Sequence, residues 1–569
     1  MNNNSTNAIE KANEIDNQII SIFKEGKNFK VEAGAGSGKT YSLMKVLKWI
    51  QENKLDDYIN KGQKIACITF TNAAVNVIQE RLGNETNIVP CTIHSFVWSV
   101  IKDFQKKIIN IVIENELYPR EFDFKTNIIK KVNYTLGVKY YEDEILYLHH
   151  NDVIKIFSNM MDISKFRKTL ACKYPIILID EYQDANAEII TKFIHYFVEK
   201  DEKIQFGFFG DSWQTIYKNN NAIGEIKNIN IIEVNKVINF RCFPKIINCL
   251  NMIRPELPQE SSFESEEGDV KVIHCNDYVG VRRTDGHFSG DLPIEEIKER
   301  VKNVLKKMNI DLTKETCKVL MLTHKILSNQ QDYPNILEKF GDSFKNEDDK
   351  LLLFLIETIN PLINALKNES AKNLYEVLGT NRPPITTKED KLRWKKLYLK
   401  LEKDTKEKLI DVLRTILDSK LVPIDDEITN IYNKMNENPA EMYNDKATYN
   451  EIANIQYSEY ERAIAFLMPD SNYSTDHNVK GEEYDNIIFV IGKGWNLYNF
   501  EKYLPMNKAE QIENQSSYER NRNLFYVGCS RARRRLVLLI TSVMNEKFES
   551  YLKKTFGNDN IISYEDYIK

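Results

Sequence analysis

Short apolar runs alternate with longer amphipathic stretches over the first 250 residues of the chain. Three of these runs, at positions 64–70, 174–179 and 204–209, are mostly apolar and are bounded by turn or charged residues. Uninterrupted apolar runs of this length are typical of strands buried on both faces of a parallel sheet. Between Phe96 and Lys173 the pattern becomes mostly helical. The pattern therefore predicts an α/β core with an inserted helical subdomain.

The second half of the chain predicts another α/β core. Residues 255–269 carry six acidic residues, two prolines and no lysine or arginine, which indicates a solvated linker at a domain boundary. Strand-like runs follow at 270–274, 318–323, 486–491 and 536–540, with a polar helical stretch between the second and the third. The predicted segments are 1–96 and 173–254 for the first core, 97–172 for its insertion, 255–330 and 451–569 for the second core, and 331–450 for its insertion.

Composition narrows the class of protein. The 569 residues include 78 Lys and Arg against 83 Asp and Glu, a net charge of −5. This balance excludes a protein that coats nucleic acid with its whole surface, so a polyanion must be held by a local patch. The eight cysteines stand singly without a CxxC pair, and the apolar stretches are strand-sized. We therefore expect a cytoplasmic protein with no membrane partner.

A glycine-rich loop follows the apolar residues 29–31 and precedes a helix-like run at 41–50. Its glycines allow backbone N–H groups to converge on phosphate oxygens at the start of a helix. Lys39 is expected to reach the β- and γ-phosphates, and Thr40 to bind Mg²⁺. The strict pattern has glycine at the position of Ala33. The predicted ATP-binding residues of the loop are Ala33, Gly34, Ala35, Gly36, Ser37, Gly38, Lys39 and Thr40.

Two adjacent acids follow the apolar run Ile176–Ile179. A phosphate loop requires an acid that holds the metal and a base that positions water. We expect Asp180 to bind Mg²⁺ and Glu181 to polarise the attacking water. Together with the loop, these acids predict hydrolysis of Mg-ATP.

With these residues the chain resembles the UvrD/Rep/PcrA group of superfamily 1 DNA helicases, from Gln18 to about Leu539. Each short motif is weak alone, but seven in the family's order are specific. The matching segments are Ile68–Ala74, Thr92–Phe96, Asp180–Asp184, Gly210–Tyr217, Asn239–Arg241, Thr475–Tyr484 and Leu524–Ala532.

The resemblance implies two RecA-like P-loop lobes with parallel sheets, each carrying a mostly helical insertion, with ATP bound between them. Gln18 stands at the spacing of the family's adenine-reading glutamine, and Phe240 would stack on the adenine. Tyr41, where the family often has arginine, is a further candidate near the adenine.

The resemblance also implies a set of residues around the γ-phosphate. Gln214 would couple the γ-phosphate to the DNA-binding surface, and Glu483 would contact the nucleotide from the second lobe. Arg241 and Arg531 would both reach the γ-phosphate. The implied catalytic residues are Lys39, Glu181, Gln214, Arg241 and Arg531.

The implied DNA surface departs from the family after Gln214. Where the family has an aromatic residue that stacks on a base, this chain has Lys218–Asn221. For Trp213, packing beneath the loop is an open alternative to DNA contact. The candidate DNA contacts are Phe70, Thr71, Asn72, His94, Trp213, Tyr217 and His477.

A basic stretch inside the second insertion is a further candidate DNA surface. Residues 391–408 hold eight Lys and Arg and three acids, with Lys395 and Lys396 in the densest part. Such a stretch could hold duplex DNA, and a solvated helix face is the open alternative.

Two functions are consistent with the sequence. The leading hypothesis is an ATP-dependent DNA translocase and helicase that moves 3′→5′ on single-stranded or 3′-tailed DNA. The alternative is a helicase-like ATPase and DNA sensor that works with a nuclease partner in a phage-defence complex, as in Gabija-type systems. The compact length, the missing stacking aromatic and the lack of a recognisable nuclease segment are consistent with this alternative.

Overall fold

The computed structural model describes most of the chain. The described residues are 3–83, 85–119, 122–123, 127–135, 139–200, 202–216, 221–263, 266–310, 316–322, 324–341, 343–344, 349–368, 370–379, 385–467, 471–475, 479–493 and 497–569. None of the helices that these residues form combines the length and the apolar composition that a membrane span requires.

The first lobe is built on a sheet of six parallel strands in the order β3-β2-β7-β8-β1-β9. Every residue of β2 and β7 is buried, which explains why the sequence shows them as uninterrupted apolar runs. The strands are β1 (Asn28–Ala33), β2 (Ile65–Thr69), β3 (Ile88–Thr92), β4 (Lys131–Tyr134), β5 (Tyr140–Glu142), β6 (Ile145–Leu148), β7 (Ile176–Asp180), β8 (Gln205–Gly210) and β9 (Ile231–Lys236), of which β4 to β6 lie outside this sheet.

The insertion of the first lobe contains a small sheet as well as helices. Its three strands pair in the order β4-β6-β5. The prediction of a mostly helical insertion missed these strands, because three or four residues are too few to establish a period of two. The helices of the first lobe and its insertion are Asn3–Lys24, Lys39–Asn53, Leu55–Asn60, Asn72–Leu82, Ile93–Ile101, Gln105–Glu114, His150–Met161, Ser164–Lys173 and Ala187–Phe193, the last continued by a π-helical turn at Ile194–Glu199.

The second lobe is built on another sheet of six parallel strands, in the order β14-β13-β15-β16-β12-β17. The predicted α/β fold with two parallel-sheet lobes is confirmed. Two further short strands, β10 (Ile238–Asn239) and β11 (Glu260–Ser261), pair with each other at the crossing between the lobes. The strands of the second sheet are β12 (Asp269–His274), β13 (Cys317–Met321), β14 (Tyr473–Thr475), β15 (Tyr484–Ile491), β16 (Ala532–Ile540) and β17 (Ile561–Ser563).

The insertion of the second lobe is helical, and its apolar residues form one core with residues of β12, β13, β15 and β16. Its helices are His324–Gln330, Pro334–Phe340, Lys350–Phe354, Asn360–Lys367, Ala371–Leu378, Lys388–Asp404, Leu409–Ser419, Asp426–Glu437, Tyr449–Ala453 and Tyr457–Leu467, with a π-helical segment at Leu355–Ile359. The helices around the second sheet are Pro244–Ile253, Ile294–Lys307, Phe500–Tyr503, Lys508–Glu513, Gln515–Cys529, Glu546–Phe556 and Tyr564–Ile568.

The crossing between the lobes differs from the sequence prediction in two ways. The helix Pro244–Ile253, which the prediction assigned to the first core, packs against β12 and β16 of the second sheet. The predicted solvated linker 255–269 also contains two buried residues, Leu257 and Gln259. The acidic composition of the segment gives no indication of them, because the other described residues of 255–269 are exposed or partly exposed.

Candidate ATP site and nucleic-acid surface

The glycine-rich loop joins the end of β1 to the start of the helix Lys39–Asn53. Gly36 and Gly38 both have a φ of 74°, a left-handed conformation that favours glycine. A Cβ atom on Gly36 would also lie 2.7 Å from Oδ1 of Asn239, so the packing leaves no room for a side chain. The loop leads directly into the N-terminus of this helix. Free N–H groups at helix N-termini bind phosphate in proteins.

Four candidate side chains of the first lobe contact one another in pairs beside the cleft. The Nζ atom of Lys39 lies 3.6 Å from Oε1 of Glu181, and the Thr40 hydroxyl donates to Oδ2 of Asp180 at 3.5 Å. Burial and the neighbouring Glu181 carboxylate raise the pKa of Asp180. At Glu181, burial is outweighed by the positive charge of Lys39, which lowers the pKa. Mg²⁺ prefers oxygen ligands such as the Thr40 hydroxyl and the Asp180 carboxylate, so these two residues fit the ion.

Arg241 approaches the loop from the crossing and connects it to the second lobe. Its Nε atom donates to Oε2 of Glu483 at 2.9 Å, and Nη1 donates to the carbonyl of Ser530 at 3.2 Å. The neighbouring Phe240 donates its backbone N–H to the carbonyl of Gly36, and its ring is 40% exposed. The structure therefore brings Phe240, Arg241 and Glu483 together at the mouth of the loop.

Arg531 reaches across the cleft from the second lobe. It is buried, and its Nη2 atom donates to Oε1 of Gln214 at 3.2 Å. Its Nη1 atom donates to the carbonyl of Glu482. Burial and the nearby Arg241 lower the pKa of Arg531 to about 9. Gln214 in turn donates through Nε2 to Oδ2 of Asp211 at 2.7 Å, so both ends of its amide are engaged.

These side chains surround one cavity of about 410 Å³ between the lobes. The structure therefore brings most of the predicted ATP-site residues together. The described residues that line the cavity are Gly34, Gly36, Ser37, Gly38, Lys39, Thr40, Tyr41, Glu181, Gln214, Phe240, Arg241, Gly481, Glu483 and Arg531.

Two predicted adenine-side residues lie at different distances from this cavity. Tyr41 lines the cavity and is 58% exposed. The Lys45 ammonium lies 4.8 Å from the centroid of its ring. Gln18 is exposed on the helix Asn3–Lys24 and is not among the described residues of the cavity lining. The same helix is fixed to the first lobe by Asp16, whose carboxylate lies 2.9 Å from the buried ammonium of Lys236.

Sequence reasoning missed the side chains that hold the lobes against each other beside the cavity. The Lys480 ammonium contacts the buried carboxylate of Asp184 and donates to the carbonyl of Gln214 at 2.5 Å. The Asn523 amide donates to the carbonyl of Thr215 at 3.1 Å. Lys480 and Asp184 stand inside matched motifs, but no spacing in the sequence pairs them because 296 positions separate them.

Gln259 is a second residue that the sequence did not indicate. A Cβ atom on Gly34 would lie 2.5 Å from its amide nitrogen, so this side chain covers the phosphate loop closely. The Asn239 amide donates to the carbonyl of Ala35 at 2.7 Å and to Oε1 of Gln259 at 3.2 Å. Asn239 and Gln259, which lie at the crossing between the lobes, therefore support the phosphate loop through these contacts.

Four candidate DNA contacts lie at one edge of the first sheet. Strands β2 and β3 are parallel neighbours that end at Thr69 and Thr92, so the residues that follow them meet at the same edge. Phe70 is 45% exposed there, and Thr71 caps the helix that begins at Asn72. His94 lies in the first turn of the helix after β3. This edge combines an exposed ring with polar side chains.

His94 packs against the first insertion rather than standing free. Its ring centroid lies 4.3 Å from that of His150, whose Nδ1 atom contacts the hydroxyl of Tyr134. Burial and the charges of His150 and His149 lower the pKa of His94 to about 4. The imidazole is therefore neutral near pH 7. Within the described part of the chain, no group of three or more His, Cys, Asp or Glu side chains could hold a metal ion.

Trp213 is buried in this structure. The guanidinium carbon of Arg522 lies 3.7 Å from its ring centroid, and that of Arg254 lies at 5.3 Å. This arrangement agrees with the alternative in which Trp213 packs beneath the loop, and its contact with DNA stays a prediction. The two other aromatic candidates, Tyr217 and His477, lie outside the described residues.

Lys395 and Lys396 are exposed on the helix Lys388–Asp404 of the second insertion. The opposite side of this helix is anchored by the buried residues Trp394 and Leu397. The two lysines are therefore free of the core and are not part of the sheet edge of the first lobe.

Comparisons with known proteins agree with this geometry. Residues 16–220 match a family model described as an AAA domain. The sequence is 25% identical to the Gabija protein GajB of Bacillus cereus strain HuB5-5, over 95% of this chain and 97% of the relative, and 25% identical to that of strain VD045, over 94% and 96%. It is 27% identical to the mitochondrial ATP-dependent DNA helicase HMI1 of Saccharomyces cerevisiae, over 45% of this chain and 42% of the relative. Residues 16–220 therefore match an AAA domain, and the resemblance of the chain to UvrD-like helicases is confirmed.

Proposed function

We propose that the protein is a DNA-stimulated ATPase that moves 3′→5′ along single-stranded DNA and separates duplex strands. The observation that carries this proposal is the hydrogen bond of 3.2 Å between Arg531 and Gln214 across the cavity. This bond joins Arg531 of the second lobe to Gln214 of the first lobe. A nucleotide bound between them would be held by both lobes at once.

Each lobe would have a separate task in hydrolysis. Glycine N–H groups and Lys39 would bind the β- and γ-phosphates, and Glu181 would orient the attacking water. Thr40 and Asp180 would hold Mg²⁺, which supplies positive charge to the phosphate oxygens when it is bound. Arg241 and Arg531 would stabilise the negative charge that develops on the γ-phosphate.

The adenosine end would be held at the mouth of the cavity. Phe240 is exposed there and would stack on the adenine, with Tyr41 beside it. Glu483, which pairs with Arg241 in this structure, would contact the nucleotide from the second lobe. Gln18 lies on the neighbouring helix and would read the edge of the adenine.

Hydrolysis would drive movement because both arginines lose their γ-phosphate partner when the product leaves. The cleft would close when ATP is bound and open when ADP is bound, so the distance between the lobes would change in each cycle of hydrolysis. Phe70, Thr71, Asn72 and His94 would contact one part of the strand on the first lobe. Lys395 and Lys396 would bind phosphates of the duplex ahead of it.

Direction is tested by displacement of streptavidin from single-stranded DNA that carries biotin at one end. We expect ATP-dependent release from the 5′ end to be faster than release from the 3′ end. Faster release from the 3′ end would contradict the proposed polarity. Equal release that does not require ATP would contradict movement along the strand.

A second candidate function is favoured by the similarity to GajB proteins over nearly the whole chain. In this case the protein is the helicase-like ATPase and DNA sensor of a cytoplasmic antiviral defence complex, with a nuclease as its partner. Strand displacement by the isolated protein distinguishes the two candidates. Unwinding of a 3′-tailed duplex supports the first, whereas DNA-stimulated hydrolysis without unwinding supports the second.

A further inference from the structure

Three charged side chains meet in the interior at the junction of the lobes. The Nη1 atom of Arg254 lies 2.6 Å from Oδ1 of Asp211, and its Nη2 atom lies 2.8 Å from Oε1 of Glu32. All three residues are buried. We call Arg254, Asp211 and Glu32 the Arg254 cluster. None of these residues carries a role in the proposed hydrolysis described above.

The members of the Arg254 cluster come from different lobes. Glu32 lies in β1 one residue before the phosphate loop, and Asp211 directly follows β8 of the same sheet. Arg254 directly follows the helix Pro244–Ile253, which packs on β12 and β16 of the second sheet. Its guanidinium also lies over the ring of Tyr526, in the second lobe, at 5.7 Å. Arg254 therefore extends from the second lobe into the first.

Stability alone is a weak reason to bury this cluster. Moving three charges out of water is costly, and apolar residues of similar volume often stabilise a core as well or better. Directional contacts are what the charges add. A guanidinium offers a planar fork of donors, and here the two arms of the fork bind two different carboxylates.

The directional contacts lead to Gln214. One oxygen of Asp211 accepts from Arg254 and from the backbone N–H of Trp213, and the other accepts from Nε2 of Gln214. This second contact fixes the amide so that its oxygen faces Nη2 of Arg531. The opposite orientation would bring an NH₂ group against a guanidinium, and both are donors only.

We propose that Arg254 is a positioning residue for ATP hydrolysis, which acts through Asp211 to orient the amide of Gln214 towards Arg531. This inference rests on the proposed ATPase function and deepens it. Because Arg254 moves with the second lobe, the orientation of Gln214 depends on closure of the cleft. Hydrolysis would then proceed only when the lobes are in the closed arrangement.

Arg254→Lys tests the inference, because one ammonium group cannot bind both carboxylates as the guanidinium does. We expect kcat for DNA-stimulated hydrolysis to fall about tenfold or more while KM for ATP stays within about threefold. The matched control is Arg300→Lys. Arg300 is also buried, contacts the carboxylates of Glu296 and Glu565, and lies over the Tyr564 ring, but it is not among the described residues that line the cavity.

Asp211→Asn provides a second test that leaves the side-chain volume unchanged. An amide has one oxygen where the carboxylate has two, so either Arg254 or Gln214 loses its acceptor. We expect kcat to fall by the same order as in Arg254→Lys, with KM again little changed. Unchanged kcat in Asp211→Asn would overturn the inference, even where Arg254→Lys fails to fold.

A double-mutant cycle separates positioning from simple loss of structure. If Arg254 acts through Gln214, Arg254→Lys lowers kcat in the natural background but has less than about a twofold effect in a Gln214→Ala background. Equal effects in both backgrounds would overturn the inference. An equal loss of kcat in Arg300→Lys would overturn it as well.

The outcome for the inference is distinct from the outcome for the proposed function. If the unchanged protein shows no DNA-stimulated hydrolysis, the proposed function fails. If the unchanged protein hydrolyses ATP in response to DNA and Arg254→Lys hydrolyses it equally well, the inference alone fails.

Discussion

The Nη2 atom of Arg531 lies 3.2 Å from Oε1 of Gln214, a contact that joins residues 317 positions apart and in different lobes. Gln214 follows β8 of the first sheet, and Arg531 precedes β16 of the second sheet. The cavity lined by the phosphate loop lies beside this contact. The two lobes are therefore joined beside the candidate ATP site by side chains whose alignment would change if the lobes moved.

Replacement of Arg531 by lysine should separate binding from hydrolysis. Lysine retains a positive charge but cannot contact both the Gln214 amide and the Glu482 carbonyl, as the guanidinium does. We expect DNA-stimulated kcat to fall by at least about 10³-fold, with affinity for ATP within about tenfold of the original. Stopped-flow binding of a fluorescent ATP analogue and steady-state phosphate release measure the two quantities.

The control for this change is Arg533→Lys, since Arg533 lies in the same segment but is 37% exposed and pairs with Asp485. Its hydrolysis should match that of the unchanged protein. Retention of more than about a tenth of kcat in Arg531→Lys would contradict the role assigned to Arg531.

Removal of the Lys39 ammonium should abolish hydrolysis without disturbing the fold. Lys39 lies in the first turn of its helix, and its ammonium contacts Glu181 in the cavity, so Lys39→Ala removes the charge that is expected to bind the β- and γ-phosphates. Lys48→Ala, an exposed position on the same helix, is the matched control. Thermal unfolding should be similar for both variants. Undiminished turnover in a folded Lys39→Ala protein would refute the ATP-site assignment.

Much of this architecture is readable from the sequence for a simple physical reason. Strands such as β7 are buried on both faces, so selection for apolar residues leaves an uninterrupted run at 176–179. The phosphate loop is equally visible, since Gly36 and Gly38 occupy backbone conformations that other residues disfavour. Burial of a strand and the backbone conformation of a glycine each restrict the residue types at their own positions, so both can be recognised in the sequence.

The contacts between the lobes leave no such signal. Arg254, Glu32 and Gln259 are single polar residues that contact the other side of the junction through partners more than 200 positions away in the sequence. Glu32 stands within a strand and Gln259 within an acidic segment, and neither position identifies the partner of its side chain. The sequence is consistent with two interpretations of Trp213, because it does not indicate that Arg522 and Arg254 lie over the ring.

Phe70 should contribute to the binding of single-stranded DNA by stacking on a base. It is the exposed ring at the edge where β2 ends, and base stacking on an aromatic residue is worth roughly 1–3 kcal/mol. We therefore expect Phe70→Ala to weaken binding of an oligonucleotide by about tenfold or more, measured by fluorescence anisotropy. Phe70→Trp should retain the affinity. Equal affinity of the alanine variant and the unchanged protein would remove Phe70 from the DNA surface.

The basic helix of the second insertion should bind DNA through phosphate charge. Reversal of Lys395 and Lys396 to glutamate should lower affinity for duplex DNA at low salt and reduce the slope of log affinity against log salt by about 1.8 or more, since each phosphate contact contributes about 0.9 on duplex DNA. Lys306 and Lys307, an adjacent exposed pair on the helix Ile294–Lys307, provide a control with the same change of charge. If both double variants lose affinity equally, the effect comes from net charge and the helix is not a DNA contact.

The most direct test of the central claim is the rate of ATP hydrolysis by the purified protein with Mg²⁺, measured with and without single-stranded DNA. Arg531 and Gln214, which are expected to act at the γ-phosphate, are joined across the two lobes. DNA that contacts the first lobe should therefore change the rate of hydrolysis in the cleft. We predict a rise in kcat of at least about tenfold on addition of DNA, abolished by Lys39→Ala. Hydrolysis that is absent, or that proceeds at the same rate with and without DNA, would contradict the account.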